Sequence, residues 1–250
     1  MAVRSSTLGC LALLVLLGMR AVHGAQSPDA RWLDVQSRIQ YAYYTEDIRA
    51  LEDVTQALAS EEGSASPMRD YYRGLAGYRL ALLSAPRDRS KAEKSVQICV
   101  SSIDSDLENQ ADSPEALALG SACRRLLASL SSLGSPLSSV RGGHEMSRAL
   151  KLAPNNPRVL MLDGLADYEH SGSKAAALGK LQKAVAAFEL ERHNIERAPS
   201  WGAPEAYAYL ARSYLDRGDA IAARGALEHA LLLVPDFAYA HRLLSKITSG

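Results

Sequence analysis

The most constraining feature of the sequence is a helical pattern that stops and restarts at short intervals. In the clearest stretch, Tyr207, Leu210 and Tyr214 recur at three- and four-residue spacings, so they fall on one face of a helix. Gly218-Asp219 interrupts the pattern, and the apolar spacing resumes from Ala220 to Leu233. No part of the chain shows the sustained alternation that a half-buried strand requires. The pattern therefore predicts antiparallel helix hairpins, each made of two helices joined by a tight turn.

The hairpin pattern recurs along the chain, which is typical of a repeat protein. In the third hairpin, the Ser- and Gly-rich segment from Ser131 to Gly143 is predicted to be a long turn. We expect residues 25–250 to form an all-α helical repeat domain of about five antiparallel hairpins, closed by a C-terminal capping helix. The hairpins are predicted at about 28–61, 66–107, 113–153, 156–192 and 203–234, and the capping helix at about 237–248.

The clearest repeat, residues 204–237, resembles a tetratricopeptide repeat (TPR). It has the large residues, the small residues between the helices, the Gly-Asp turn and the closing proline of that repeat. The matching residues are Tyr207, Leu210, Ala211, Tyr214, Gly218, Asp219, Ala223, Leu227, Ala230 and Pro235. The resemblance implies a tetratricopeptide-like α-solenoid, in which the other four hairpins are degenerate copies.

The second half of the chain, from about 140 to 248, is also similar to a group of uncharacterised exported bacterial TPR proteins. In that group an Asn-Pro-Arg opens one repeat and a Pro-x-Trp-Gly insert precedes the next. Asn156-Pro157-Arg158 and Pro199-Ser200-Trp201-Gly202 match both motifs. This resemblance implies a fold and a compartment, and it implies no biochemical activity.

The first 24 residues have the pattern of a secretory signal peptide. Arg4 supplies the positive start, and Leu8 to Met19 form an apolar run that is too short to span a membrane. Val22-His23-Gly24 then predicts cleavage after Gly24; an uncleaved membrane anchor is the alternative. Because no later apolar stretch approaches membrane length, we expect no membrane insertion of the mature chain. The sequence therefore predicts an exported protein of the bacterial periplasm.

The charge balance and the cysteine content further limit which partners and which compartment the protein can have. The 28 basic and 28 acidic residues balance, so the chain lacks the positive charge that nucleic-acid binding requires. Removal of the signal peptide would leave two cysteines, Cys99 and Cys123, about equally far from the turn near Gln110 and Ala111. Antiparallel helices joined there would bring them to the same height, which predicts a disulfide in the oxidising periplasm. The alternative is two buried thiols that pack as small apolar groups.

No catalytic motif is present in the sequence. No two histidines have the His-x-x-x-His spacing of a zinc site, and the chain has neither a Gly-x-Ser-x-Gly elbow nor a phosphate-binding loop. We therefore expect no enzymatic activity, no metal and no cofactor.

Tyrosines concentrate on the predicted first helices, which line the concave groove of a stacked hairpin array. Repeat packing explains some of them, whereas others suit contact with an extended peptide, because aromatic and arginine side chains dominate binding hot spots. The candidate partner-binding residues are Tyr71, Tyr78, Arg158, Met161, Tyr168, Tyr209 and Arg212.

Three functional hypotheses follow, of which the last in rank is an enzyme or small-ligand binder built on a helical solenoid. The leading one is a non-enzymatic exported scaffold that binds a protein or peptide segment in its concave groove. The alternative is a structural subunit or assembly factor of a cell-envelope complex, bound through its convex face or its termini. An open, apolar and basic groove favours the first, and a groove filled by the protein's own side chains favours the second.

Overall fold

Eleven α-helices and no strand make up the part of the chain that the structure describes, which confirms the predicted all-α fold. The computed structural model describes residues 28–60, 66–131, 136–169, 174–192 and 199–248. The predicted signal peptide lies outside these ranges. The helices are α1 Pro28–Tyr44, α2 Ile48–Ser60, α3 Pro67–Ser84, α4 Arg89–Asn109, α5 Pro114–Leu130, α6 Pro136–Leu152, α7 Pro157–Glu169, α8 Lys174–Glu191, α9 Ala203–Leu215, α10 Ala220–Leu233 and α11 Ala238–Thr248.

Consecutive helices pair as five hairpins, α1/α2 to α9/α10, and α11 packs against the last pair. The long turn predicted from Ser131 to Gly143 is wrong, because α6 already begins at Pro136 and its two glycines are helical. Gly142 lies close to α5, where a Cβ atom would come within 3.3 Å of the Ser121 carbonyl oxygen. This glycine therefore serves close helix packing and not a turn.

The clear repeat shows why its consensus residues are needed. Gly218 has a φ of 77°, a left-handed conformation that glycine adopts without strain, and it makes the turn between α9 and α10. The Asp219 side chain then accepts a hydrogen bond from the Ala222 amide at 2.9 Å and caps α10. Ala211 and Ala223 are fully buried where the two helices meet. The small residues let the helices approach, and the cap fixes where the second helix begins.

The first helix of each hairpin lies on the inside of the solenoid. The odd-numbered helices contact one another in series, from α1 and α3 through to α9 and α11, as well as their own hairpin partners. The even-numbered helices contact the helices next to them in sequence. The first helices therefore form an inner layer and the second helices an outer one, as stacking of curved repeats requires.

The two ends of this inner layer meet. Tyr43 and Tyr44, at the end of α1, belong to the apolar cluster of the last repeat, and the Tyr44 ring packs edge-on against Phe237 at 4.8 Å. Gln36 of α1 donates to the Ser200 hydroxyl at 2.6 Å and accepts from the Ser200 amide at 2.7 Å. The superhelix therefore closes on itself, with the first hairpin docked against the residues that precede and follow α9.

A disulfide joins the second and third hairpins. Cys99 of α4 and Cys123 of α5 are bonded, with their Cα atoms 6.2 Å apart and both side chains fully buried, in agreement with the pairing predicted from the sequence. In the described residues, no helix has both the length and the apolar character needed to cross a membrane.

Candidate partner-binding cavity

Five of the seven side chains predicted to contact a partner are buried in the structure. Tyr71, Tyr78, Arg158, Met161 and Tyr168 are each at most 6% exposed. Their repeat positions do face inward, but neighbouring helices cover them. In this conformation these residues pack the solenoid, and a partner in the groove would not reach them.

Arg158 illustrates this structural role. Its guanidinium donates to Glu115 of α5 at 2.8 Å, to Glu191 of α8 at 2.9 Å and to the Trp201 carbonyl oxygen at 3.0 Å. One buried cation thus holds together two hairpins and the segment that leads into α9. The motif Asn156-Pro157-Arg158 is explained by these contacts, because the Asn156 side chain also accepts from the Arg158 amide and caps α7.

A buried ion pair fills the middle of the concave groove that the first helices form. Arg79 of α3 bonds Glu205 of α9, and the Glu205 side chain also accepts from the Tyr44 hydroxyl at 2.7 Å. The Arg79 guanidinium lies 4.1 Å from the ring centroid of Tyr43 and 5.1 Å from that of Trp201. We call Arg79 and Glu205 the central ion pair. Because it occupies the space between α1, α3 and α9, the groove is closed at this level.

Beyond the central ion pair, the groove widens into a cavity at one rim of the superhelix. Its volume is about 510 Å³, and it lies between the ends of α1 and α3, the body of α9, the α10–α11 turn and α11. We call it the rim cavity. It is lined by Tyr43, Glu46, Leu82, Leu83, Pro86, Arg87, Tyr209, Arg212, Phe237, Tyr239 and Arg242. Of the seven predicted partner-binding residues, Tyr209 and Arg212 lie here.

The rim cavity carries net positive charge above an apolar floor. Arg87, Arg212 and Arg242 line it with one carboxylate, that of Glu46, which bonds Arg242. Arg212 donates to the Tyr239 hydroxyl at 3.2 Å, and its guanidinium lies 4.9 Å from the Tyr168 ring centroid. These contacts hold the Arg212 side chain in place while leaving its charge without a carboxylate partner among the described residues.

The tyrosines of the rim cavity act as neutral hydrogen-bonding groups. Burial raises the pKa of Tyr209 well above its usual value, and burial also raises the pKa of Tyr43. Both hydroxyls therefore stay protonated at neutral pH. The cavity thus presents three cations and several phenols, a combination that suits an anionic group attached to an apolar one.

Glu46 stands in a conformation that costs free energy. Its φ of 58° is left-handed, which is uncommon for a residue with a long side chain. Such strain costs on the order of 1–2 kcal/mol and concentrates at functional sites. Here the left-handed residue ends α1, with the Asp47 amide bonded to the Ala42 carbonyl oxygen at 2.8 Å. The Glu46 carboxylate also accepts from Arg242 of α11.

Several residues of the rim cavity had no signal in the sequence. Leu83, Arg87 and Tyr239 lie at helix ends or in turns, outside the repeat positions that face a groove. They meet because the second hairpin and α11 come together where the superhelix closes. A local repeat pattern contains no information about that contact, since the residues concerned are far apart in sequence.

Within its described residues, the structure has no group of three or more His, Cys, Asp or Glu side chains that could hold a metal ion. No protein-family model matches the sequence, and no curated protein matches it. Among solved structures, the chain is similar to a thermophilic TPR protein of Thermus thermophilus, with a TM-score of 0.56 and 13% sequence identity. The match covers 87% of this chain and 97% of that one. This likeness shows the TPR fold, as the sequence resemblance predicted.

Proposed function

We propose that the protein is a non-enzymatic scaffold that holds a peptide segment of a partner protein in the rim cavity. The TPR fold is widely used for protein–protein interaction, and a stacked array presents a surface that needs little ordering on binding. The central ion pair blocks the middle of the groove, so the segment would enter at the rim. The observation that carries the proposal is a preformed cavity containing Tyr209 and Arg212, two of the seven candidate partner-binding residues.

The chemistry of the cavity defines the segment. At about 510 Å³ it lies within the usual range of about 300–1,000 Å³ for binding pockets, which is room for two or three side chains. Leu82, Leu83 and Phe237 form an apolar surface, and Arg87 and Arg212 have no carboxylate partner among the described residues. We therefore expect a peptide in which an acidic residue follows or precedes an apolar one.

Selection from a displayed library of random peptides tests this function. The mature chain should enrich sequences that combine acidic with apolar residues, and Arg212→Ala should weaken their binding about tenfold. The matched control is Arg224→Ala, which removes an exposed arginine from α10 of the same repeat, outside the cavity. Enrichment of peptides without acidic residues, or equal binding by Arg212→Ala, would contradict the proposal.

The same proposal places the scaffold in the periplasm. The Cys99–Cys123 disulfide supports an oxidising compartment, in which such bonds persist. Protein recovered from the periplasm should begin at Ala25, as N-terminal sequencing would show. A chain that stays in the cytoplasm with Met1 intact would contradict export.

A second function rests on the filled channel. If the groove serves only packing, the outer helices are left to bind a complex of the cell envelope. Ile221 and Leu232 of α10 and Leu190 of α8 are 88%, 78% and 76% exposed, so the outer helices present apolar side chains that a partner could cover. Replacing Leu190 and Leu232 by Gln should disrupt such an assembly without affecting the peptides selected by the rim cavity. The pair of variants, Arg212→Ala and the double Gln variant, separates the two functions.

A further inference from the structure

A second, smaller cavity lies at the other end of α3. Its volume is about 160 Å³, and its walls come from the start of α3, the end of α4, the start of α5 and Pro199. Pro67, Met68 and Pro199 supply apolar surface, whereas Asp106 and Glu115 supply carboxylates and Tyr71 a phenol. We call it the acidic cavity. It is separate from the rim cavity, and no lining residue is shared.

Asp106 is an unusual carboxylate. It is only 2% exposed, and among the described residues no donor or cation bonds its side chain. Its two acidic neighbours, Asp70 and Glu115, both accept hydrogen bonds from donors of the protein. Asp70 accepts from Arg69 at 3.1 Å and from the Ser105 hydroxyl at 2.8 Å, and Glu115 accepts from Asn156 and Arg158, each at 2.8 Å. Asp106 is therefore the acid of this group that lacks a partner within the described part of the chain.

A buried carboxylate without a partner is costly, because nothing replaces the water that it loses. Burial, together with the charge of Asp70, raises the pKa of Asp106 to about 7. The N-termini of α3 and α5 open on the same rim, but each already has its own acid, Asp70 and Glu115. Within the ranges that the structure describes, no group therefore compensates Asp106, and the cavity leaves room for a ligand beside it.

We propose that the acidic cavity binds a primary alkylammonium group, with its ammonium at Asp106 and its methylene chain against Pro67, Met68 and Pro199. The volume equals that of about five water molecules, which matches a four-carbon chain and its ammonium group. The ammonium would donate to the Asp106 carboxylate and to the free Glu115 oxygen. Such a group comes either from the lysine side chain of a protein or from a free diamine.

Other cations fit this cavity less well. No group of at least three His, Cys, Asp or Glu ligands capable of holding a metal ion occurs in the described residues, so an organic cation suits the site better than a metal ion. A guanidinium is a broad, planar group with five N–H donors, which Asp106 and Glu115 in a cavity of about 160 Å³ would bond only in part, whereas an ammonium has three donors on one small head group. Compact, tetrahedral ammonium is the cation whose shape agrees with the walls.

The test is titration of the mature chain with n-butylammonium at constant ionic strength, followed by calorimetry and by NMR of the aspartate carboxyl carbons. We expect saturable binding with a dissociation constant on the order of 1 mM, since the ligand has five heavy atoms. Bound ammonium should also lower the pKa of Asp106 from about 7, because a nearby cation favours the charged form. Neutral n-butanol should not bind.

Asp106→Asn should lower butylammonium affinity at least about tenfold. This variant keeps the side-chain shape and removes a buried charge, so it is expected to fold. The matched control is Glu108→Gln, which removes one exposed charge from the same helix and should bind as the wild type does. Absence of saturable binding, equal binding by Asp106→Asn, or equally tight binding of methylguanidinium would each overturn the proposal.

Two further ligands distinguish the sources of the ammonium group. Nα-acetyl-lysine amide carries the group on a peptide backbone, and 1,4-diaminobutane carries it on a free diamine. Tighter binding of the lysine derivative assigns the cavity to a protein lysine, and tighter binding of the diamine assigns it to a small molecule. Either result supports an ammonium site, and failure of both to bind overturns it.

Discussion

The two cavities stand at opposite ends of α3 and have opposite charge. Leu82 and Leu83 at the end of the helix line the rim cavity, whereas Pro67 and Met68 at its start line the acidic cavity, about 22 Å away along a straight helix. The first presents arginines, and the second presents an unpartnered aspartate. One inner helix thus serves two environments, and the closed solenoid has two separate ends in place of one continuous groove.

The central ion pair separates the two cavities, so its loss has the largest expected effect. Arg79 stacks on Tyr43 of the rim cavity and on Trp201, whose indole donates to Tyr71 of the acidic cavity at 2.9 Å. Glu205→Ala leaves Arg79 buried without its carboxylate and should lower the free energy of unfolding by about 3–5 kcal/mol. Urea denaturation measures this loss, and peptide and amine binding should both weaken.

The double variant Arg79→Met, Glu205→Leu is the control for that prediction. Apolar side chains of similar size avoid the unpaired charge, so most of the stability should return. A loss below about 1 kcal/mol for Glu205→Ala alone would show that the ion pair does not hold the ends together.

Neutralising Asp106 tests the negative charge of the acidic cavity, because it changes how the stability of the protein depends on pH. Its folded pKa of about 7 lies above the ordinary value of 3.8, so the folded state holds the proton more tightly. Wild-type stability from this group is therefore complete below pH 4 and is lost as pH rises through 7. Asp106→Asn lacks this loss, and at pH 8 it should exceed the wild type in unfolding free energy by at most about 4 kcal/mol.

Thermal or urea unfolding at several pH values between 4 and 8 checks that slope. Asp70 on α3 and Glu115 on α5 face Asp106, and both remain unchanged in the variant. Glu108→Gln should keep the wild-type dependence. Parallel curves for Asp106→Asn and the wild type would contradict the pH prediction.

Removing the disulfide should affect one cavity and spare the other. Cys99 and Cys123 join α4 to α5, which supply Asp106 and Glu115 to the acidic cavity and nothing to the rim cavity. Replacing both cysteines by Ala opens a loop with a sequence separation of 24 and should cost about 3 kcal/mol. Butylammonium affinity should fall with it, while peptide affinity should not change.

Intact mass before and after alkylation tests the bridge itself, since Cys99 and Cys123 of the unreduced protein should show no free thiol. Two alkylated cysteines in unfolded, unreduced protein would contradict it.

The smallest expected effect on stability belongs to Arg212→Ala, because the side chain is exposed and lacks a carboxylate partner among the described residues. Its unfolding free energy should stay within about 0.5 kcal/mol of the wild type. The variant would then weaken peptide binding at the rim cavity while leaving the stability of the protein nearly unchanged. A stability loss as large as that of a core variant would show that Arg212 packs the solenoid.

Local features of this fold were predictable from sequence, because each depends on neighbouring residues. The turn at Gly218, the cap at Asp219 and the Cys99–Cys123 pair all depend on spacing within one hairpin or between two adjacent ones. The predicted turn over Ser131 to Gly143 failed because glycine also serves close packing, which composition does not distinguish.

The candidate sites were less predictable, since they depend on curvature. Arg158 and Tyr71 occupy positions that face the groove of an open array, and contacts with other hairpins and with Trp201, the residue just before α9, bury them. Closure arises from small rotations summed over five hairpins, together with contacts such as Gln36 to Ser200, 164 residues apart. No short stretch of the sequence contains both residues of such a contact, so a local pattern cannot predict it.

The meeting of α1 with the last repeat also governs how the chain acquires its structure. An open array gains stability one neighbour at a time and can begin to form anywhere along its length. Here Tyr44 finds its hydrogen-bond acceptor 161 residues later, so the first hairpin cannot complete its contacts until almost the whole polypeptide has emerged. Such distant pairing slows the search for the native state and makes its loss all-or-none. Repeat number is consequently fixed in this molecule, because adding or deleting one hairpin would separate the ends that must meet.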